Sequence, residues 1–279
     1  MASEIIFLTV PIGNLSDITK RVSDALVEGK KFIVEDSRVF LSLLSALEIP
    51  SDHKEWVIWH DHTDQNVLRK VKSWINHKEK IYVVSDAGSP VLSDPAYDLL
   101  LALKEEHFIL DSYGGVTSVI QALELSQLPP IPFHFHGFLA RNNQDCIEQI
   151  QQIMNIKGTH IYFLSPHRVL ETLGAIVGVL PGIKMVLARE LTKKFQEVIS
   201  FTSNDWPTLQ ETLTIKGEFV FLFYISENKH NTLAHDKLNQ LAKEYLSHQK
   251  PKMLAKLLSE ITGMKVSDVY NQLHTDKNS

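Results

Sequence analysis

Ser85-Asp86-Ala87-Gly88-Ser89-Pro90 stands directly behind the apolar run Ile81-Tyr82-Val83-Val84 and sets a carboxylate and two hydroxyls at the end of a strand. Gly88 permits a backbone turn closed to bulkier residues, and Pro90 stiffens the exit into the next helix. Asp86 thereby falls at the carboxyl end of a buried strand, where open α/β sheets hold their ligands. A tight strand-to-helix turn with a capping Asp would use the same residues.

Polar clusters of this kind recur behind other apolar runs. Pro11-Ile12-Gly13-Asn14-Leu15 follows the first, with Asp17 as candidate cap of the next helix; Gly13 could let a ligand approach the backbone. A single glycine there is neither a dinucleotide fingerprint nor a P-loop. Glu35-Asp36-Ser37-Arg38 ends the second run, and an acid beside an arginine can orient a hydroxyl or a phosphate, or simply cap a helix. Tyr113-Gly114-Gly115-Val116-Thr117-Ser118 could admit an adenosine or a carboxylate to the backbone around Gly115. Ser165-Pro166-His167-Arg168 and Ala188-Arg189-Glu190-Leu191-Thr192-Lys193 repeat the pattern further on. His60-Asp61-His62 invites a metal reading, as does His134 with His136. Neighbours on a strand point to opposite sides, and no further Cys or His at ligand spacing supports either pair, so no metal is expected. Seven such clusters on one rim describe a cleft.

The elements that must carry these clusters follow from apolar spacing. Strands are expected at Ile5–Val10, Phe32–Glu35, Trp56–Trp59, Lys80–Ser85 and Phe108–Leu110, with helices near Ile18–Val27, Val39–Leu47, Gln65–His77 and Ala96–Glu106. That alternation predicts parallel β-α-β units buried on both faces. The proline stretch Leu128–Pro132 marks a boundary. Behind it, strands are expected at Phe133–Phe138, His160–Leu164, Met185–Arg189, Gln196–Thr202 and Glu218–Ile225. Asn228–Asn231 reads as a linker, and Leu233–Leu273 as helices, one opened by Pro251 and closed at Thr262-Gly263. The division is therefore α/β over 1–127, α/β over 128–227 and a helical segment over 228–279.

The 279 residues, 44% of them hydrophobic, are enough for two cores. The single cysteine, Cys146, excludes an internal disulfide and a cysteine metal cluster, and makes the cytoplasm the expected location. No run approaches the roughly 20 apolar residues of a membrane helix, and Ile5–Val10 is too short for a secretory signal. A net charge of −5 counts against indiscriminate nucleic-acid binding. Between Lys229 and Lys265, however, seven lysines face three acids.

In order along the chain, Pro-Ile-Gly-Asn-Leu-x-Asp-Ile-Thr, Glu-Asp-Ser-Arg, His-Asp-His, Ser-Asp-Ala-Gly-Ser-Pro, Gly-Phe-Leu, Ser-Pro-His-Arg and Ala-Arg-Glu-Leu-Thr-Lys resemble the ribosomal RNA small subunit methyltransferase I family, a branch of the tetrapyrrole methylases. The resemblance implies two α/β domains with the cofactor in the cleft between them, and a homodimer. It implies an S-adenosylmethionine-dependent enzyme that methylates the ribose 2′-hydroxyl of a cytidine of 16S rRNA in the small ribosomal subunit. Carried over by motif, Pro11, Asp86, Gly88, Ser89, Thr117, Ser118, Phe163 and Ala188 would line the cofactor site. Asp36, Arg38, Asp61, Arg189, Glu190 and Lys193 would face the RNA, the carboxylates as base or orienter and the cations on phosphates. The family's Pro-Gly-Pro-Ser-Ala loop is Gly114-Gly115-Val116-Thr117-Ser118 here, and Leu164 replaces an acid. The competing readings are a methylase of small molecules and a member that binds cofactor or ribosome without turnover.

Overall fold

The computed structural model describes residues 2–60, 64–226, 251–262 and 264–275. It contains two compact units, Met1–Ile225 and Ser226–Ser279.

The first unit opens with a five-stranded sheet: β1 (Ser3–Leu8), β2 (Lys31–Val34), β3 (Glu55–Ile58), β4 (Lys80–Val84) and β5 (Phe108–Tyr113), ordered β3-β2-β4-β1-β5 with every pairing parallel. Side chains alternate between its faces, as strand geometry requires. Ile6, Leu8, Phe32 and Val34 meet Val22 and Leu26 of α1 (Lys20–Glu28) and Phe40 and Leu44 of α2 (Ser37–Ala46). Ile5, Phe7, Ile33 and Val83 meet Val71, Trp74 and Ile75 of α3 (Gln65–Asn76) and Leu99 of α4 (Ala96–Ala102). Burial on both faces explains why these strands read as unbroken apolar runs. Each such side chain contributes about 1.5–3 kcal/mol.

The second sheet is β6 (Phe133–Phe138), β7 (Gly158–Leu164), β8 (Met185–Arg189), β9 (Glu197–Phe201) and β10 (Phe219–Ile225), ordered β6-β7-β10-β8-β9. Only β6 and β7 are parallel; β10 runs against β7 and β8, and β9 against β8. One face packs on α6 (Asn143–Ile153), α7 (Val169–Ile176) and Trp206 of α8 (Trp206–Thr212). The other receives Val119, Ala122 and Leu123 of α5 (Ser118–Ser126), the helix that leaves the first sheet.

Several boundaries differ from the sequence reading: β1 runs Ser3–Leu8 rather than Ile5–Val10, β5 continues to Tyr113 rather than Leu110, and helix ends shift as well. The cap of α1 is Thr19, whose hydroxyl accepts the Val22 N–H at 3.3 Å, and Asp17 lies instead in a short 3-10 turn capped by Asn14. The fourth helix stops at Ala102 rather than Glu106, because the apolar spacing continues through the buried turn residue Leu103.

In the second unit, α9 (Pro251–Thr262) and α10 (Val266–Thr275) share a small cluster of Leu254, Ala255, Leu258 and Val269. The expected linker Asn228–Asn231, Gly263 and the lysines Lys229, Lys237, Lys243 and Lys250 lie outside the described residues. Among the described residues no helix is long and apolar enough to cross a membrane.

Candidate active site

The carboxyl ends of β1, β4, β6, β7 and β8 and the start of β10 surround a cavity of about 270 Å³. The turn behind β4 forms one wall. Gly88 sits at φ +70°, which favours glycine, and its amide and carbonyl exchange hydrogen bonds of 3.1 and 3.0 Å with Val10. That bridge fixes the turn against the end of β1. Gly115 is needed for space: a Cβ there would come within 2.7 Å of the Thr9 carbonyl oxygen. The loop then enters α5, whose first turn is capped by Thr117 accepting from the Ile120 amide at 3.4 Å. Thr117 and Ser118 consequently present hydroxyls and a helix amino end to the cavity. Ile12, Leu92, Phe138, Phe163 and Leu191 give it apolar walls.

Acids dominate the first sheet's side. The Asp86 amide donates to Glu35 Oε2 and the Asp36 amide donates to Asp86 Oδ1, each at 3.2 Å. Asp36 caps α2 through the Arg38 amide at 2.8 Å and pairs with the Arg38 guanidinium, which holds its carboxyl down to about 2. Burial, and then the nearby Glu35 charge, raise Asp86. Asp36, Arg38 and Asp86 line an open groove with Leu15 and Ser42. Asp94 lines the cavity itself; burial, with Glu35 and Asp86 nearby, pushes it up to about 7.

The second sheet's side pairs its acids. Glu190 Oε1 accepts from Lys193 Nζ and from the Glu218 amide, both at 3.0 Å, and Lys193 Nζ also meets Glu218 Oε2 at 3.0 Å. Burial opposes the charge of Glu190, but the Lys193 and Glu218 hydrogen bonds prevail and lower its pKa. Glu190 and Thr192 adopt φ values of +51° and +64°, a conformation rare outside glycine. Gly217, at φ +107°, makes room: a Cβ there would lie 2.5 Å from Glu190 Cγ. Arg189 donates to Glu197 at 3.2 Å and to the Lys216 carbonyl at 3.1 Å.

Of the residues singled out in the sequence, Gly88, Ser89, Thr117, Ser118 and Phe163 line the cavity, while Asp36, Arg38 and Asp86 line the adjoining groove. Gly13 joins the two sides, since a Cβ there would overlap Lys193 Cγ, and the Asn14 amide donates to Thr192 Oγ1 at 3.1 Å. Pro11, Gly115 and Ala188 do not line the cavity: Gly115 is exposed, Pro11 half-buried, and Ala188 fully buried beside Val220 on β10. Asp61 lies outside the described residues. His134 and His136 stack with His160 in the second sheet, and His136 Nε2 meets His160 Nδ1 at 2.9 Å. Among the described residues no cluster could hold a metal ion.

Asp94 and Glu218 are the cavity carboxylates that sequence reasoning missed. A signal for the first was present: Ser93-Asp94-Pro95 repeats the Ser-Asp pair of Ser85-Asp86 just before a helix. Glu218 gave no such signal, being one more residue at the start of a strand.

Residues 4–206 match the family model of tetrapyrrole (corrin/porphyrin) methylases. A curated relative from Rickettsia prowazekii, "Ribosomal RNA small subunit methyltransferase I", is 30% identical over 272 residues, covering 98% of this chain and 94% of its own length. A relative of the same name from Vibrio cholerae is 33% identical, with 93% and 90% covered. Among solved structures, a diphthine synthase superposes with TM-score 0.60 at 14% identity, covering 80% of this chain and 90% of its own. The methyltransferase CobJ does so with TM-score 0.58 at 13%, covering 81% and 95%. At those identities the structures speak for the fold alone.

Proposed function

The chain belongs to the ribosomal RNA small subunit methyltransferase I family of tetrapyrrole methylases, and from that premise we propose that it transfers a methyl group from S-adenosylmethionine to the ribose 2′-hydroxyl of a cytidine in 16S rRNA of the small ribosomal subunit. The observation that carries this reading is the cavity into which the loops of both sheets converge, with an acid- and arginine-lined groove beside it. We read 1–127 and 128–227 as its two working lobes, and the functional form as a cytoplasmic homodimer.

The cavity suits a nucleoside donor on three counts. Its walls are apolar, as a purine requires. Gly88 and Gly115 let the turns that shape it pack closely, the first against Ile12 and the second against the Thr9 carbonyl. Ser89, Thr117 and Ser118 offer hydroxyls and helix N–H groups to a carboxylate and a ribose, with Phe163 as a flat surface. When bound, the donor supplies a methyl carbon already activated by a positive sulfur.

The chain's own residues then have two tasks. One is to hold the acceptor oxygen in line, which accounts for most of the rate in a displacement of this kind. Arg38, whose side chain is 88% exposed, is the freest of the three cations and would grip a phosphate in the groove. The other is to take the hydroxyl proton, for which Asp36 and Glu190 are the candidates on opposite sides of the site. Small subunits from a strain lacking the gene, incubated with the protein and methyl-labelled donor, should acquire label on one cytidine ribose. Label on a base, or on no RNA at all, would overturn the assignment.

A further inference from the structure

Among the described residues, the charged side chains lining the cavity are Asp94 and Glu218, and the fold treats them differently. Glu218 is largely exposed and its carboxylate meets the Lys193 ammonium. Asp94 has no cation against it among the described residues: it shares a small pocket with Glu35, from the end of β2, and with Ser85, whose hydroxyl donates to the Ala87 and Gly88 carbonyls, and the charges acting on it are those of Glu35 and of Asp86, from behind β4. Arg38 is engaged with Asp36 and acts on Asp86. Nor is Asp94 on a free loop. The Trp59 indole donates to the Pro95 carbonyl at 3.1 Å and the Ala96 amide to the Pro90 carbonyl at 3.3 Å, clamping the backbone on both sides.

A partly buried carboxylate with acids for neighbours and an apolar cavity before it lacks a counter-charge, and a cation entering that cavity would supply one. Resting on the donor reading above, we propose that Asp94 reads the ligand's charge, favouring the sulfonium donor over the neutral thioether left after transfer. Asp94 is on this account a specificity-determining residue that helps expel the spent product.

The consequence is a proton linkage with a definite sign. Because Asp94 titrates at about 7, with burial first and Glu35 second as causes, it is largely protonated in mildly acidic solution and ionised above neutrality. The cation selects the ionised form, so donor affinity should strengthen as pH rises to about 7 and then level off. The neutral product should respond far less. Both ligands carry the same amino-acid and nucleoside groups, so the ratio of their affinities cancels the protein titrations to which both respond alike.

Calorimetric titration of the full chain with S-adenosylmethionine and S-adenosylhomocysteine between pH 5.5 and 8.5 tests this. The preference for the donor over the product should grow by about tenfold or more across that range. Asp94→Asn should abolish the growth, so that the ratio of the two affinities no longer changes across the range. Glu35→Gln, which removes one repelling charge, should move its midpoint to lower pH, an effect that a merely structural role would not produce. If Asp94→Asn does not fold, the wild-type series and Glu35→Gln decide. A pH-independent ratio, with both ligands bound, would overturn the charge-reading role and leave the donor reading standing. Failure of either ligand to bind at any pH would sink the donor reading, and this inference with it.

Discussion

The two sides of the cleft solve the same electrostatic problem in opposite ways. On the second sheet, Glu190 and Glu218 converge on Lys193, and Glu197 meets Arg189. On the first, Glu35 and Asp86 have backbone amides for partners, Asp94 gathers with them with no cation against it among the described residues, and Arg38 binds Asp36 at the outer edge. An acid paired with a cation is held ionised and in place; an acid among acids is left responsive to whatever arrives. The second side is thus built to be rigid and the first to sense charge.

The sharpest way to break this contrast is to ask which side holds the proton acceptor. Asn keeps the helix cap that Asp36 provides, and Gln keeps the acceptor for the Glu218 amide, so Asp36→Asn and Glu190→Gln remove charge with little change in shape. Loss of the acceptor should slow methyl transfer by about 10²–10⁴-fold with donor affinity nearly unchanged. Single-turnover rates on small subunits would locate it, and two variants of full activity would exclude both sides.

Rigidity on the second side rests on strained backbone, which makes Gly217→Ala the next largest effect. The substitution places a Cβ at φ +107° and against Glu190. It should destabilise the fold by about 1–3 kcal/mol, read from the urea midpoint, and loosen the Glu190–Lys193 contact. No change in the midpoint would mean that this loop carries no strain.

The sides should also differ in their response to acid. His160 is buried in the second sheet and held down to about 4, chiefly by burial. A depressed imidazole binds its proton more readily unfolded, so stability is lost as pH falls from about 6.5 towards 4. Asp94 is raised to about 7 against an ordinary 3.8, so the folded form holds the extra proton and stability is lost as pH rises through that window. Each effect is bounded at about 1.4 kcal/mol for every tenfold difference in proton affinity between the folded and unfolded chain. Between about pH 4 and 6.5 the two slopes oppose each other, so urea midpoints should rise more steeply with pH in Asp94→Asn, and should fall with rising pH in His160→Gln once its own loss of packing is subtracted. If neither slope moves, these two groups do not govern the pH response.

How much of this was legible in the sequence follows the same divide. The first sheet could be read strand by strand, because Ile5–Leu8, Phe32–Val34 and Ile81–Val84 are buried on both faces and separated by amphipathic helices. The second sheet's strands were equally visible, but an apolar run such as Phe219–Tyr224 carries no mark of direction, so its antiparallel pairings were not. Glycines in turns pointed to Gly88 and the loop before α5. Nothing local announced that α5 would pack on the second sheet, and the Ser-Asp pair of Ser93-Asp94, though visible, did not say that Asp94 would face the cavity among acids. Its environment is assembled from β2, β4 and the loop before α4, and only their meeting makes it unusual.

The smallest effect separates pairing from purpose on the second side. Glu218 is 73% exposed, so Glu218→Gln should change stability by less than about 0.5 kcal/mol. Lys193 keeps Glu190 in that variant, yet loses half of its negative surroundings. If Lys193 is held there to meet a phosphate, small-subunit affinity should rise slightly and fall more steeply with salt, because a lysine less neutralised by protein displaces more counterion. An unchanged salt dependence would mark the Glu190–Lys193–Glu218 group as a brace for the Glu190 loop and leave Arg38 to carry the RNA contact from the opposite side.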